Sequence, residues 1–247
     1  MTKFACVTSF SQKGGDEYGK RFIETWLKNW PDDGTCSLTI FHEEKTLEFS
    51  DKRVISRSLL DDTDLTAFQE KYKTSPKTME DVAGGKGIDG KKLSEIAVLP
   101  NGMVGMPSKT GGVDWRYSYR YDAMKFSRKV MALTNVSAIP DDADWWIWLD
   151  ADIVVNKPVT ASWLNEILPG NVLACYLGRK DWDHSECGFV AYNMRFKASV
   201  AGQAEPVTAR FFLEDFRTVY TSGDVFEHKE YHDSYVFDCV RKAYEEQ

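Results

Sequence analysis

Trp145-Trp146-Ile147-Trp148-Leu149 is a run of five large apolar residues that ends in Asp150-Ala151-Asp152. Such a run is too short for a buried helix and has no polar face. It is the pattern of a strand covered on both sides, as found in mostly parallel sheets. A strand of this kind demands helices on both faces of its sheet, and so an α/β chain. Ligands of open α/β sheets collect beyond the carboxyl ends of the strands, which is where the two aspartates stand. Two positions apart in extended backbone, Asp150 and Asp152 point to one side, where their oxygens can share one divalent cation. Asp62-Thr63-Asp64, Asp142-Ala143-Asp144 and Asp181-Trp182-Asp183 repeat the triplet without capping a fully apolar run. Ile153-Val154-Val155 reads as renewed strand, which argues against a plain turn at the acid pair.

The rest of the chain supplies the partners such a strand needs. Phe4 to Phe10 reads as a first strand, followed by a glycine-containing loop from Ser11 to Gly15. Tyr18, Phe22, Trp26, Leu27 and Trp30 form one helical stripe that Pro31 and Gly34 end. Cys36 to Phe41 is a second strand, Lys52 to Leu59 a third, and Asp61 to Tyr72 a short helix. No Gly-x-Gly-x-x-Gly follows the first strand and no Gly-Lys-Ser/Thr loop occurs, which disfavours hydride transfer and a phosphate loop of that type. Residues 84–112 are rich in glycine, with Lys86, Lys91, Lys92, Pro100, Pro107 and Lys109, and read as a flexible loop, either a surface insertion or a lid near the site.

Asp114 to Asn135 reads as one helix, with Tyr119, Ala123, Phe126, Val130 and Leu133 on its buried stripe and Arg116, Arg120, Arg128 and Lys129 elsewhere. Arg120, near its start, is a candidate for reaching a phosphate beside Asp150. Thr160 to Leu168 is a further helix and Val172 to Leu177 a further strand. A polar, aromatic-laced segment, residues 178–188, leads into the strand Phe189 to Asn193 and reads as a pocket wall. A helix begins near Pro206, and Asp233 caps a last one from Tyr235 to Tyr244.

At 247 residues and 43% hydrophobic, the chain can bury one large core. No run approaches the length of a membrane span, and Met1 to Cys6 opens into strand pattern rather than a signal peptide, so a cytoplasmic protein is expected. Five scattered cysteines suggest neither a disulfide framework nor a zinc site. The net charge of −7 speaks against binding nucleic acid over the whole surface, while leaving room for a local basic patch.

Three stretches together, Trp-Ile-Trp-Leu-Asp-Ala-Asp-Ile-Val-Val, the preceding Tyr-Arg-Tyr-Asp-Ala-Met-Lys-Phe-Ser-Arg-Lys-Val and the following Glu-Cys-Gly-Phe, resemble nucleotide-sugar glycosyltransferases of the GT-A fold. The resemblance implies a Rossmann-like domain over residues 1–247, with a central mostly parallel sheet flanked by helices and a C-terminal helical extension. Residues 1–155 would be the nucleotide-sugar half and residues 156–247 the acceptor half. It implies Mn2+ or Mg2+ at Asp150 and Asp152, Asp150 also touching the donor, with His232 as a further ligand and His228 as second choice. Thr8, Ser9 and Phe10 would lie near the base of a UDP-sugar. Glu186, with Asp181 and Asp183, would serve the acceptor side. The His-x-x-Gly-x-x-Lys-Pro-Trp motif of one retaining family is absent.

A cation and basic side chains suit this chemistry because negative charge develops on the departing phosphate oxygen. The acceptor stays open among glycan, small molecule, protein hydroxyl and a hydroxymethylated base in DNA. Only the basic stretches Lys86 to Lys109 and Arg116 to Lys129 favour DNA. Two rival readings are a metal-dependent sugar nucleotidyl or phosphoryl transferase and a non-catalytic carbohydrate-binding module with Trp115 and Trp182 as stacking platforms.

Overall fold

The computed structural model describes residues 1–75, 77–78, 92–179, 184–199 and 204–245. In chain order the strands are β1 (Phe4–Phe10), β2 (Cys36–His42), β3 (Val54–Ser58), β4 (Lys77–Thr78), β5 (Ala97–Val98), β6 (Asn101–Pro107), β7 (Val113–Asp122), β8 (Trp145–Leu149), β9 (Ala174–Leu177) and β10 (Glu186–Asn193). A six-stranded sheet has the order β3-β2-β1-β8-β10-β9, and β4 to β7 form a second sheet in sequence order. From β3 across to β8 every pairing is parallel, and β10 runs antiparallel to both β8 and β9. The mostly parallel central sheet flanked by helices is the architecture expected from the sequence.

β8 is buried along its whole length because its side chains leave alternately toward two cores. Trp146 and Trp148 join Val130, Phe212 and Phe237 on one face, while Trp145, Ile147 and Leu149 join Phe22, Trp26 and Leu38 on the other. Burying a tryptophan removes about 200 Å² from water, roughly 5 kcal/mol of transfer free energy before entropy is counted. The helices Ala123–Leu133, Ala209–Ser222 and Asp233–Glu245 cover the first face, and Lys20–Asn29 contributes Phe22, Ile23 and Trp26 to the second. Among the described residues no helix is long and apolar enough to cross a membrane.

The expected helix from Asp114 to Asn135 is two elements. Residues 113–122 form β7, paired with β6, and the helix starts only at Ala123, where the Asp122 side chain accepts the Lys125 amide at 2.9 Å. Val113, Trp115, Tyr117, Tyr119 and Tyr121 recur every second residue, the period of a strand, and only Tyr119 of them also falls on the helical stripe that continues through Ala123 to Leu133. The β partner decides between them. That partner, β6, lies inside the stretch 84–112 read as loop; the portion 84–91 falls outside the described residues. Gly105 fits in β6 because a Cβ there would lie 2.7 Å from Val113 and 2.8 Å from Trp115. Ile153 to Val155 do not resume a strand: the Ile153 amide bonds the Asp150 carbonyl at 3.3 Å, closing a turn, and Asn29 then takes the Val155 carbonyl at 2.7 Å. The last helix starts at Asp233 itself, two residues earlier than expected.

Candidate functional site

The parallel register aligns Phe4 with Trp145 and Val7 with Trp148, so Ser9 and Phe10 stand at the same rim of the sheet as the residues that follow Leu149. Here the chain order reverses: β2 and β3 lie to one side of β1 and β8 to the other, the topological switch where α/β sheets open a crevice. A cavity of about 200 Å³ opens there, lined by Ser9, Phe10, Tyr18, Glu43, Lys125, Phe126, Lys129, Trp148, Asp150, Ala151 and Asp152. Thr8, by contrast, is fully buried in the sheet and is not part of this wall.

Asp150 continues the alternation of Trp146 and Trp148, which turns it toward the Ala123–Leu133 helix. Its Oδ1 accepts the Trp148 indole N–H at 2.7 Å and the Lys129 ammonium at 2.7 Å. Lys129, whose side chain is only 15% exposed, also pairs with Asp233 at 2.7 Å and donates to the Cys187 carbonyl at 2.9 Å. Two of these contacts are hydrogen bonds, to Asp150 and the Cys187 carbonyl, and the third is an ion pair with Asp233. Burial alone would lower the Lys129 pKa, but the attraction of Asp150 and Asp233 outweighs it and holds the pKa well above the usual lysine value. Asp152 follows on the turn, exposed, and the turn rather than a continued strand brings both carboxylates to the same cavity.

The surrounding groups carry the imprint of this charge. Burial raises the Tyr18 pKa, and Asp152 and Glu43 raise it further. Glu43 is itself raised by burial, against the pull of Arg128, which pairs with it at 3.4 Å. Glu186 opens β10, where its Oε1 accepts the Gly188 amide at 3.1 Å and its other oxygen pairs with Arg179. A Cβ on Gly188 would sit 3.2 Å from Glu186 Oε1 and 3.4 Å from Asp150 Oδ2, so the two carboxylates flank one glycine. Asp181 and Asp183 lie outside the described residues.

No family model and no curated protein matches the chain. Among solved structures it is similar to the crystal structure of mouse xyloside xylosyltransferase 1 in its apo form, with 12% identity, 98% of this chain and 83% of that chain covered, and a TM-score of 0.47.

Three other sequence candidates lie elsewhere. Arg120, on β7 rather than on a helix, pairs with Glu230 at 3.1 Å and does not line the cavity. His232, buried, places Nε2 at 2.8 Å from Glu230 Oε2 and is likewise absent from the cavity wall, while His228 packs near Tyr235 with its pKa lowered by burial. The spacing of the sequence marks none of Lys125, Glu43 and Glu230, and it gives Tyr18 only as part of a helical stripe and Lys129 only as a basic residue off the buried face. Lys129 borders the apolar stripe of its helix next to Val130, and nothing in that spacing separates a buried cation from a solvated one.

Proposed function

We propose that this chain is a metal-dependent glycosyltransferase that moves a sugar from a nucleoside diphosphate, UDP by preference, to an acceptor hydroxyl. The observation that carries the reading is the pair Asp150 and Asp152 lining, with Lys125 and Lys129, a single crevice at the switch between β1 and β8. Residues 1–155 then form the donor half and residues 156–247 the acceptor half.

The carboxylates fit a hard divalent cation unequally. Asp150 already holds Lys129 and Trp148 through Oδ1, so Asp152, exposed on the turn, is the direct ligand and Asp150 the fixed neighbour that orients donor and cation. When bound, Mn2+ or Mg2+ supplies Lewis-acid stabilisation of the charge developing on the diphosphate. Lys125 adds a point charge on the same wall, while Ser9, Phe10 and Tyr18 close the side toward the base. As the bond between the anomeric carbon and the phosphate oxygen breaks, the acceptor oxygen bonds to that carbon. In this reading Glu186, which approaches Gly188 as Asp150 does, takes the acceptor proton, with Asp181 and Asp183 belonging to the same segment.

Incubation with a panel of nucleotide-sugars and Mn2+ should release UDP slowly, and Asp152→Asn should lower that rate at least about 100-fold. Pyrophosphate release from a sugar phosphate and a nucleoside triphosphate would instead establish a nucleotidyl transferase. A second reading, a carbohydrate-binding module, is favoured by Trp115, exposed on β7 in a row with Tyr117 and Tyr119, while Trp182, its other expected platform, lies outside the described residues. It calls for glycan binding with no metal-dependent UDP binding in the same calorimeter.

A further inference from the structure

Glu230 and His232, just before the Asp233–Glu245 helix, meet His184, just before β10, in a cluster that shares Phe126 with the crevice but none of its carboxylates. One ligand atom of each lies within 4.8 Å of the others. Glu230 Oε2 is 2.8 Å from His232 Nε2 and 3.6 Å from His184 Nε2. In a tetrahedral site with bonds of 2.0–2.1 Å the ligand atoms stand about 3.3 Å apart. The two separations bracket that value, so Glu230 Oε2 stands at about ligand spacing from both imidazoles, and the two imidazole nitrogens lie within 4.8 Å of each other.

The surroundings hold the ligands in place. Glu230 Oε1 is fixed by Arg120 at 3.1 Å, leaving Oε2 to the imidazoles. Ser185, next to His184, is tied to Asp238 of the helix through its amide at 2.8 Å and its hydroxyl at 2.6 Å. The rings of Tyr119 and Phe126 pack on His232 at 5.6 and 5.9 Å, and Tyr235 packs on His184 at 5.2 Å. Glu230 and His232 are buried and the His184 side chain is 24% exposed, so the cluster meets solvent through His184.

The geometry points to a transition-metal site formed by His184, Glu230 and His232, distinct from the Asp150 and Asp152 crevice. Two imidazoles and one carboxylate suit Zn2+ or Co2+, whereas Mg2+ and Ca2+ prefer oxygen donors throughout. Binding through His232 Nε2 requires the Nδ1–H tautomer and gives up the long 3.4 Å approach of the Tyr235 amide to Nδ1. The bound ion would clamp the entry of β10 to the start of the last helix. The inference does not depend on the donor-binding reading.

The test uses the full chain after chelator treatment. Titration with Co2+ should give one equivalent that carries the intense visible bands of a four-coordinate ion, and this equivalent should be unchanged in Asp152→Asn, whatever weaker binding the carboxylate crevice adds. Affinity should fall more than about 100-fold in His184→Ala, because losing a ligand costs more than losing an outer partner. Zn2+ at about 100 times its Kd should raise the unfolding midpoint of the wild type by about 5–10 °C and leave that of His184→Ala unmoved. Should His184→Ala fail to fold, ring-proton NMR of the wild type decides: Zn2+ should shift the signals of His184 and His232 and spare those of His42 and His228. Absence of tight binding, binding retained in His184→Ala, binding lost in Asp152→Asn, or shifts confined to other histidines would each overturn the site.

Discussion

Lys129 is the residue on which the candidate crevice leans. Its ammonium, with Asp150 on one side and Asp233 on the other, joins the rim of the sheet to the start of the last helix. Removing one partner from a buried ion cluster leaves uncompensated charge and is strongly destabilising, whatever the intact cluster contributes. Lys129→Met should therefore cost about 3–5 kcal/mol in urea denaturation, and adding Asp233→Asn should recover part of it. The pH dependence follows from the sign of the shift. The folded pKa of Lys129 is raised above the unfolded value of about 10.4, so its contribution is complete below about pH 10 and is lost as pH rises toward the folded pKa. The wild type should lose stability over that alkaline range while Lys129→Met, lacking the group, loses less.

Elements are held in register by their ends. The Ala209–Ser222 helix stops at Gly223, whose φ of +93° is a left-handed conformation that suits a residue without Cβ. The Tyr72 hydroxyl closes over the same spot and donates to the Ser222 carbonyl at 2.9 Å; a Cβ on Gly223 would collide with that hydroxyl. Gly223→Ala therefore combines backbone strain with a clash against the helix Thr63–Tyr72, and should lower stability by about 1–3 kcal/mol in thermal or urea unfolding. At the other end of the same scale, Asp122 closes β7 and starts the Ala123–Leu133 helix, and it also accepts the Tyr117 hydroxyl at 2.9 Å. That one residue converts a period of two into a period of 3.6, which is why continuous helical spacing from Tyr119 onward misplaced the boundary.

Over the whole molecule the thiols report how tightly the two cores are closed. Burial raises the pKa of all five cysteines, Cys36 to about 11 and Cys6, Cys175, Cys187 and Cys239 likewise upward. Since the thiolate is the reactive form, iodoacetamide at pH 8 should label the native chain slowly and the urea-unfolded chain rapidly at the buried Cys6, Cys36 and Cys187, with Cys175 and Cys239 labelled sooner, as read by mass spectrometry. The sequence alone determined the buried strand Trp145–Leu149, the sheet it requires and the rim position of Asp150 and Asp152, because an unbroken apolar run has one stable environment and its polar end must leave it. Only the tertiary structure decided that Lys129 is a buried cation, that Arg120 and His232 face Glu230 instead of the crevice, and that residues 113–122 are a strand. Each of those depends on a partner distant in the chain: Asp233 for Lys129, Glu230 for Arg120, β6 for β7. Local spacing encodes which side chains share a face, but the group that meets that face is chosen by packing.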